Sequence, residues 1–161
     1  MAEPWIKAHP QDIGVQKALG NTYARTGDFV AARRSYESVL QLAPDDSNVL
    51  NNLANVLLRL KDPTAIKIAE QALLKNSTNA DAIDTLGWIL FQNGQVDRSL
   101  TMLRDARLRV PANQEIRYHL AAVLAHTGRK NEARDELEAA LKGGNSFESV
   151  NDAQALLRTL K

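Results

Sequence analysis

The chain has 161 residues, 44% hydrophobic, 5% aromatic and 24% charged, with 20 Lys and Arg against 19 Asp and Glu for a net charge of +1. A chain of this length buries most of its apolar surface as one domain. The near-balance of charge excludes the strong positive field of a nucleic-acid binder.

No apolar run exceeds six residues (Leu120 to Ala125 is one), so no stretch of the sequence can span a bilayer. Met1-Ala2-Glu3-Pro4-Trp5 carries neither a basic n-region nor an apolar h-region, so no signal peptide is expected there. With no cysteine there are no disulfides and no thiolate chemistry.

Four stretches repeat one template: Leu19-Gly20, Leu53-Ala54, Leu86-Gly87 and Leu120-Ala121, whose leading leucines are 34, 33 and 34 residues apart. That period is the signature of a stacked-repeat array in which each unit buries its apolar face on its neighbours. The expected fold is all-α: a right-handed superhelical solenoid of helix-turn-helix pairs.

In chain order, residues 1–10 read as the remnant of a preceding repeat. Pro10 lies 34 residues before Pro44, and Trp5-Ile6-Lys7-Ala8 reads as the last turn of a helix, so a longer array is expected. Repeats then occupy 11–44, 45–77, 78–111 and 112–144. Each has a first helix A, a short turn and a second helix B.

The third repeat shows the helical spacing plainly. Ala82, Ile83, Leu86 and Leu90 share one face before Asn93-Gly94, and Leu100, Leu103, Ala106 and Val110 share the next. Gly27, Gly94 and Gly128 end the A helices by taking the left-handed conformation. The second repeat has Lys61-Asp62-Pro63 instead, with proline expected in the first turn of its B helix.

Small residues follow each leading leucine, and Ala32, Ala65, Ser99 and Ala133 recur in the B helices, where two helices must approach closely. Residues 145–161 are expected to form a capping helix. Ser146 is its cap, and Phe147, Val150, Ala153, Leu157 and Leu160 cover the last apolar face.

These positions resemble the tetratricopeptide repeat (TPR) over nearly the full length. The match is leucine, small, aromatic or leucine, then alanine, with proline closing the first and third repeats. Several strings go further: Asn51-Asn52-Leu53-Ala54, Asp62-Pro63-Thr64-Ala65, Asp84-Thr85-Leu86-Gly87-Trp88 and Glu115-Ile116-Arg117-Tyr118-His119-Leu120-Ala121. They resemble the C-terminal repeats of the TPR lipoproteins of exosortase (PEP-CTERM) systems. That resemblance implies a bacterial envelope setting linked to exopolysaccharide export or protein sorting.

The family resemblance also implies that the A helices line a concave groove. The residues facing it are then Lys17, Asn21 and Ala24; Asn51, Asn55 and Leu58, with Asn52 reaching the same face; Asp84, Trp88 and Phe91; and Tyr118, Ala122 and Ala125. Asparagine offers a donor and an acceptor to a peptide backbone or to sugar hydroxyls. The same amides could equally be solvated or bonded within a helix pair. Trp88, Phe91 and Tyr118 read either as an aromatic platform for a ligand or as packing between adjacent A helices.

Lys17, Asn21 and Asn52 match three positions of the clamp with which chaperone-binding members hold a peptide carboxylate. Asp81 and Thr85 stand where the other two should be basic, so no clamp is expected.

Chemistry on a ligand is not expected, and neither is a cofactor. His119 and His126 lie about 10 Å apart along one helix, too far to share a metal without outside ligands. There is no glycine-rich phosphate loop and no Gly-x-Ser-x-Gly elbow. Asp45-Asp46 reads as a helix cap, and Arg104, Arg107 and Arg109 as a solvated B-helix face.

The expected function is a non-enzymatic scaffold that binds a protein or peptide ligand in its groove. A carbohydrate-contacting module and a homo-oligomer formed through the open N-terminal end are the alternatives. Neither a nucleic acid nor direct membrane insertion is expected.

Overall fold

The computed structural model describes residues 12–144 and 146–160. Among them the secondary structure is α-helix alone: α1 (Ile13–Thr26), α2 (Phe29–Leu42), α3 (Ser47–Arg59), α4 (Ala65–Lys75), α5 (Ala80–Gln92), α6 (Val96–Arg109), α7 (Gln114–His126), α8 (Lys130–Lys142) and α9 (Val150–Thr159). The expected remnant repeat at 1–10, and with it the open end expected to self-associate, lies outside the described residues. Two compact units divide at Thr85 and Leu86, within α5.

Each A helix starts at a side-chain cap in the same register. Asp12 accepts from the Val15 amide at 3.1 Å and Asp46 from Val49 at 3.1 Å. Asn79 accepts from Asp81 at 3.0 Å and Asn113 from Glu115 at 3.0 Å. Such a cap satisfies a helix-end amide that would otherwise lack a partner, and is worth about 1 kcal/mol.

Each A helix also ends the same way. A six-residue turn closes through Asp28 N to Tyr23 O, Asp62 N to Leu57 O, Gln95 N to Leu90 O and Arg129 N to Leu124 O, all at 2.9 Å. The geometry requires a left-handed residue. Gly27, Gly94 and Gly128 supply it at φ of 83°, 77° and 78°, and Lys61 takes it at 55° in the second repeat, against the steric preference of a side chain.

In the first unit α1 packs on α2, α3 on α4, and α2 on α3. Its core holds Tyr36, Val39, Leu50, Leu53, Val56, Leu57, Ala69 and Ala72, each at 4% exposure or less. Gly20 lies under the Tyr36 ring, where an added Cβ would stand 2.5 Å from the ring edge.

In the second unit α6 packs on α7, α7 on α8, and α8 on α9, around Leu103, Leu120, Val123, Leu124, Leu137 and Leu160. Gly87 admits Leu103, to which an added Cβ would come within 2.8 Å. Arg107 and Arg117 both reach Glu136, the first at 3.0 Å and the second at 2.5 Å, and so tie α6 and α7 to α8.

Four local expectations are revised. Pro63 stands ahead of α4, in a turn closed by Ala65 N to Asp62 O at 3.2 Å, and not in the helix's first turn. Ser146 and Phe147 precede the last helix, which begins at Val150 after Ser149. The Ser149 amide and hydroxyl are held by the Glu115 carboxylate of α7, so the helix start is satisfied from a distant helix. Phe147 nonetheless packs on the second unit's core, as a capping segment must. Val110 closes α6 at 39% exposure and is not part of its buried face. The arginine face is exposed at Arg104 and Arg109, as expected, but is also ion-paired: Arg104 to Glu132 at 3.4 Å, and Arg109 to Asp105 at 3.0 Å.

Candidate functional site

In the first unit the polar A-helix residues bond mainly with one another. The Tyr36 hydroxyl, reaching over from helix B, donates to Asn21 Oδ1 at 2.7 Å, and Asn52 Nδ2 donates to the same oxygen at 3.2 Å. Burial pushes the Tyr36 phenol up, and Asn52 alongside draws it partly back. Asn55 Nδ2 donates to Thr85 Oγ1 at 3.2 Å and to the Asn51 carbonyl at 3.4 Å.

Lys17 is paired with Asp46, the cap of α3. Burial pushes the Asp46 carboxyl up, but the Lys17 ammonium and the Val49 amide outweigh it and hold the group below the ordinary carboxylate range. Asp84 is buried at 8% exposure. Of the expected amides, Asn51 differs: its Oδ1 is buried and accepts no hydrogen bond.

With Lys17 committed to Asp46, and Asn21 and Asn52 joined over Tyr36, the three clamp-like residues already serve the fold. None offers a free cation to a terminal carboxylate.

The second unit is different in kind. Trp88 and Phe91 from α5 meet Tyr118 and His119 from α7. Trp88 lies 5.5 Å from Phe91 and 5.9 Å from Tyr118 between ring centroids, both tilted. His119 stacks on Trp88 at 4.2 Å and 17°, and His126 meets Phe91 edge-on at 5.4 Å.

His119 is buried at 8% exposure, with Nε2 3.5 Å from Glu115 Oε1. Trp88, Phe91 and Tyr118 are half-buried. Neither the Trp88 indole N–H nor the Tyr118 hydroxyl has a hydrogen-bond partner among the described residues. The Tyr118 phenol is pushed up first by burial, then by the charges of Asp152 and Glu115.

Three contributors escaped the sequence reading. His119 was readable only as a lone histidine, although Glu115 one turn earlier and Tyr118 beside it were signals of a shared cluster. Tyr36 lies on a B helix, outside any pattern confined to A helices. Asp152 enters from the terminal helix, whose position no periodicity gives.

Among the described residues no group of three His, Cys, Asp or Glu side chains could hold a metal, and no helix is long and apolar enough to cross a membrane.

Several known proteins share the fold of this chain. A protein of Thermus thermophilus, TTC0263, described as a thermophilic TPR protein, superposes with a TM-score of 0.81 at 19% identity, covering 98% of this chain and 86% of its own. YrrB, a TPR protein described as having an unusual peptide-binding site, superposes at 0.69 and 18% identity, over 93% of this chain and 78% of its own. The first TPR of Spaghetti (RPAP3), solved bound to the HSP90 peptide SRMEEVD, gives 0.67 at 21% identity, over 73% of this chain and 94% of its own.

In sequence, the TPR repeat-containing protein PA4299 of Pseudomonas aeruginosa is 30% identical over 132 residues, which is 82% of this chain. The chain spans about half (52%) of that curated relative's length. The Tetratricopeptide repeat family model matches residues 17–81 and 85–146. With the all-α helical repeat fold, the shared cap register and this match, the chain belongs to the tetratricopeptide repeat family.

Proposed function

We propose that the chain is a non-catalytic protein-interaction scaffold, and that its A-helix faces take an extended peptide or a helix. The observation that carries this reading is the half-buried Trp88 and Tyr118 pair, whose polar tips have no hydrogen-bond partner among the described residues. Aromatic residues with one apolar side and one unsatisfied polar tip are enriched where proteins bind proteins. Family members of the same fold include one bound to a peptide and one described by its peptide-binding site.

A carbohydrate ligand is the alternative reading, and it too would have one Trp88 ring face to stack on, His119 covering the other. The setting we propose is the bacterial envelope, in exopolysaccharide export or protein sorting. Its support is the set of strings around Asn51, Asp62, Asp84 and Glu115 that resemble the exosortase-associated repeats.

The test is selection from a displayed peptide library, followed by calorimetry on wild type, Asn51→Ala and Trp88→Ala, with melting curves as a control for folding. Binding of the selected peptides should fall about tenfold or more in Trp88→Ala, equivalent to roughly 1.4 kcal/mol. Selected peptides that bind both folded variants as tightly as wild type would refute the proposal.

A further inference from the structure

Two carboxylates lie on the Tyr118 side of the second unit's aromatic patch. Glu115 lies one turn before His119 on α7, and Asp152 lies in the first turn of α9, exposed. Glu115 is engaged by the Ser149 amide at 3.2 Å and by its hydroxyl. Asp152 has no cationic partner among the described residues. Glu115 lies three residues before Tyr118, and its bonds to Ser149 bring the start of α9, with Asp152 three residues on, beside that part of α7; after burial, both carboxylates push the Tyr118 phenol up. The patch thus combines ring faces at partial burial with two carboxylates on its Tyr118 side, of which Asp152 has no cationic partner among the described residues.

An anionic side chain placed there would be repelled, and an apolar one would leave Asp152 uncompensated. A cation gains twice, from the ring quadrupoles and from the carboxylate, and the ring contact strengthens as water is excluded. The planar guanidinium is the better fit, since it can stack on a ring while its edge donates to a carboxylate.

We infer that the Trp88–Tyr118 patch, bordered by Asp152, is a subsite for a cationic side chain, arginine above all, on a basic peptide lying across the second unit. The inference rests on the proposed reading of the A-helix faces as peptide sites and adds the chemical class of the ligand.

Three acetylated, amidated hexapeptides, identical except for alternating Arg, Gln or Glu, are titrated into 15N-labelled protein. The Trp88 indole signal is assigned with Trp88→Phe, and the side-chain amides of Asn51 and Asn55 are followed in parallel. The Arg peptide should shift the Trp88 indole saturably, and bind about fivefold or more tightly than the Gln peptide, the factor expected of roughly 1 kcal/mol. The Glu peptide should give no saturable shift there. Asp152→Asn should cut the preference for Arg over Gln to about twofold with an unchanged melting temperature.

Equal binding of the Arg and Gln peptides, an unmoved Trp88 indole, or an undiminished preference in Asp152→Asn each overturns the subsite. Library-selected peptides then separate this failure from that of the broader reading. Shifts confined to Asn51 and Asn55 would leave the peptide-binding reading standing without the cationic subsite. Shifts confined to B-helix residues around Leu74 and Leu108 would remove both.

Discussion

The two units apply one repeat register to opposite ends. In the first, the polar A-helix residues are mostly consumed in holding helices together: Asn21, Asn52 and Tyr36 form one cluster, Asn55 and Thr85 a second, and Lys17 and Asp46 an ion pair. In the second, the corresponding surface is aromatic, and the Trp88 and Tyr118 polar tips have no hydrogen-bond partner among the described residues. A groove position in a repeat is therefore only an opportunity. Whether it becomes glue or a binding surface depends on which partner the neighbouring helix offers.

The largest expected effect tests what the two units share. Gly20→Ala drives a methyl into the Tyr36 ring, and Gly87→Ala drives one against Leu103. Overpacking of this kind costs about 1–3 kcal/mol, more than the roughly 1 kcal/mol of helix propensity that alanine returns. Both variants should therefore unfold earlier in urea. A stabilised Gly87→Ala with an impaired Gly20→Ala would show that the second unit tolerates helix separation where the first does not.

Next comes a pair of caps in the same register. Asp46→Ala and Asn113→Ala should each cost about 1 kcal/mol at neutral pH through the lost cap, with Asp46→Ala losing the Lys17 partner as well. Their pH dependence should differ. The folded carboxyl of Asp46 is held below its unfolded value, so its stabilisation is present above the ordinary carboxylate pKa and is lost as pH falls through the lowered folded value. The gap between wild type and Asp46→Ala should thus close in acid. The gap for Asn113→Ala, an uncharged cap, should stay constant. Parallel acid titrations of thermal stability check both, and a parallel pair of gaps would remove charge from the account of Asp46.

A smaller effect separates glue from surface directly. Tyr36→Phe takes a 2.7 Å donor from Asn21 and should cost about 1 kcal/mol. Tyr118→Phe removes a hydroxyl with no hydrogen-bond partner among the described residues and should stay within about 0.5 kcal/mol of wild type. Equal losses would mean that the second unit's aromatic face is structural, and the contrast between the units would fail.

How much of this was legible in the sequence follows from the range of each cause. The leading leucines, the close-approach glycines and the left-handed turns at Gly27, Gly94 and Gly128 are set within a repeat, and the period exposed them, whereas the left-handed Lys61 carried no glycine to mark it. The positions of Asn51, Trp88 and Tyr118 on A helices were legible for the same reason. The partners were not, because a bond such as Tyr36 to Asn21 depends on how two helices cross. Glu115 capping Ser149, 34 residues on, is likewise tertiary, and it moved the start of the last helix past Ser146. Pro63 was placed too deep because Asp62 and Thr64 build a turn of their own, Asp62 Oδ1 accepting from the Thr64 amide at 2.9 Å and from its hydroxyl at 2.6 Å.

The smallest effect concerns a polar group that the second unit leaves unmatched in its core. Ser99 is at 0% exposure with no partner for Oγ, where the other B helices carry Ala32, Ala65 and Ala133 at 2% or less. A buried hydroxyl without a hydrogen bond carries a desolvation cost that alanine does not, and alanine is also the better helix former. Ser99→Ala should therefore stabilise by up to about 1 kcal/mol and raise the melting temperature by about 2–4 °C, the scaling for a domain near this size. A loss of stability would mean that the hydroxyl is satisfied in solution by a bound water, and that the second unit's core leaves no polar group unpaired at this position. The unmatched tips of Trp88 and Tyr118 would then stand out further, as polar groups left open only at the surface where a ligand can reach them.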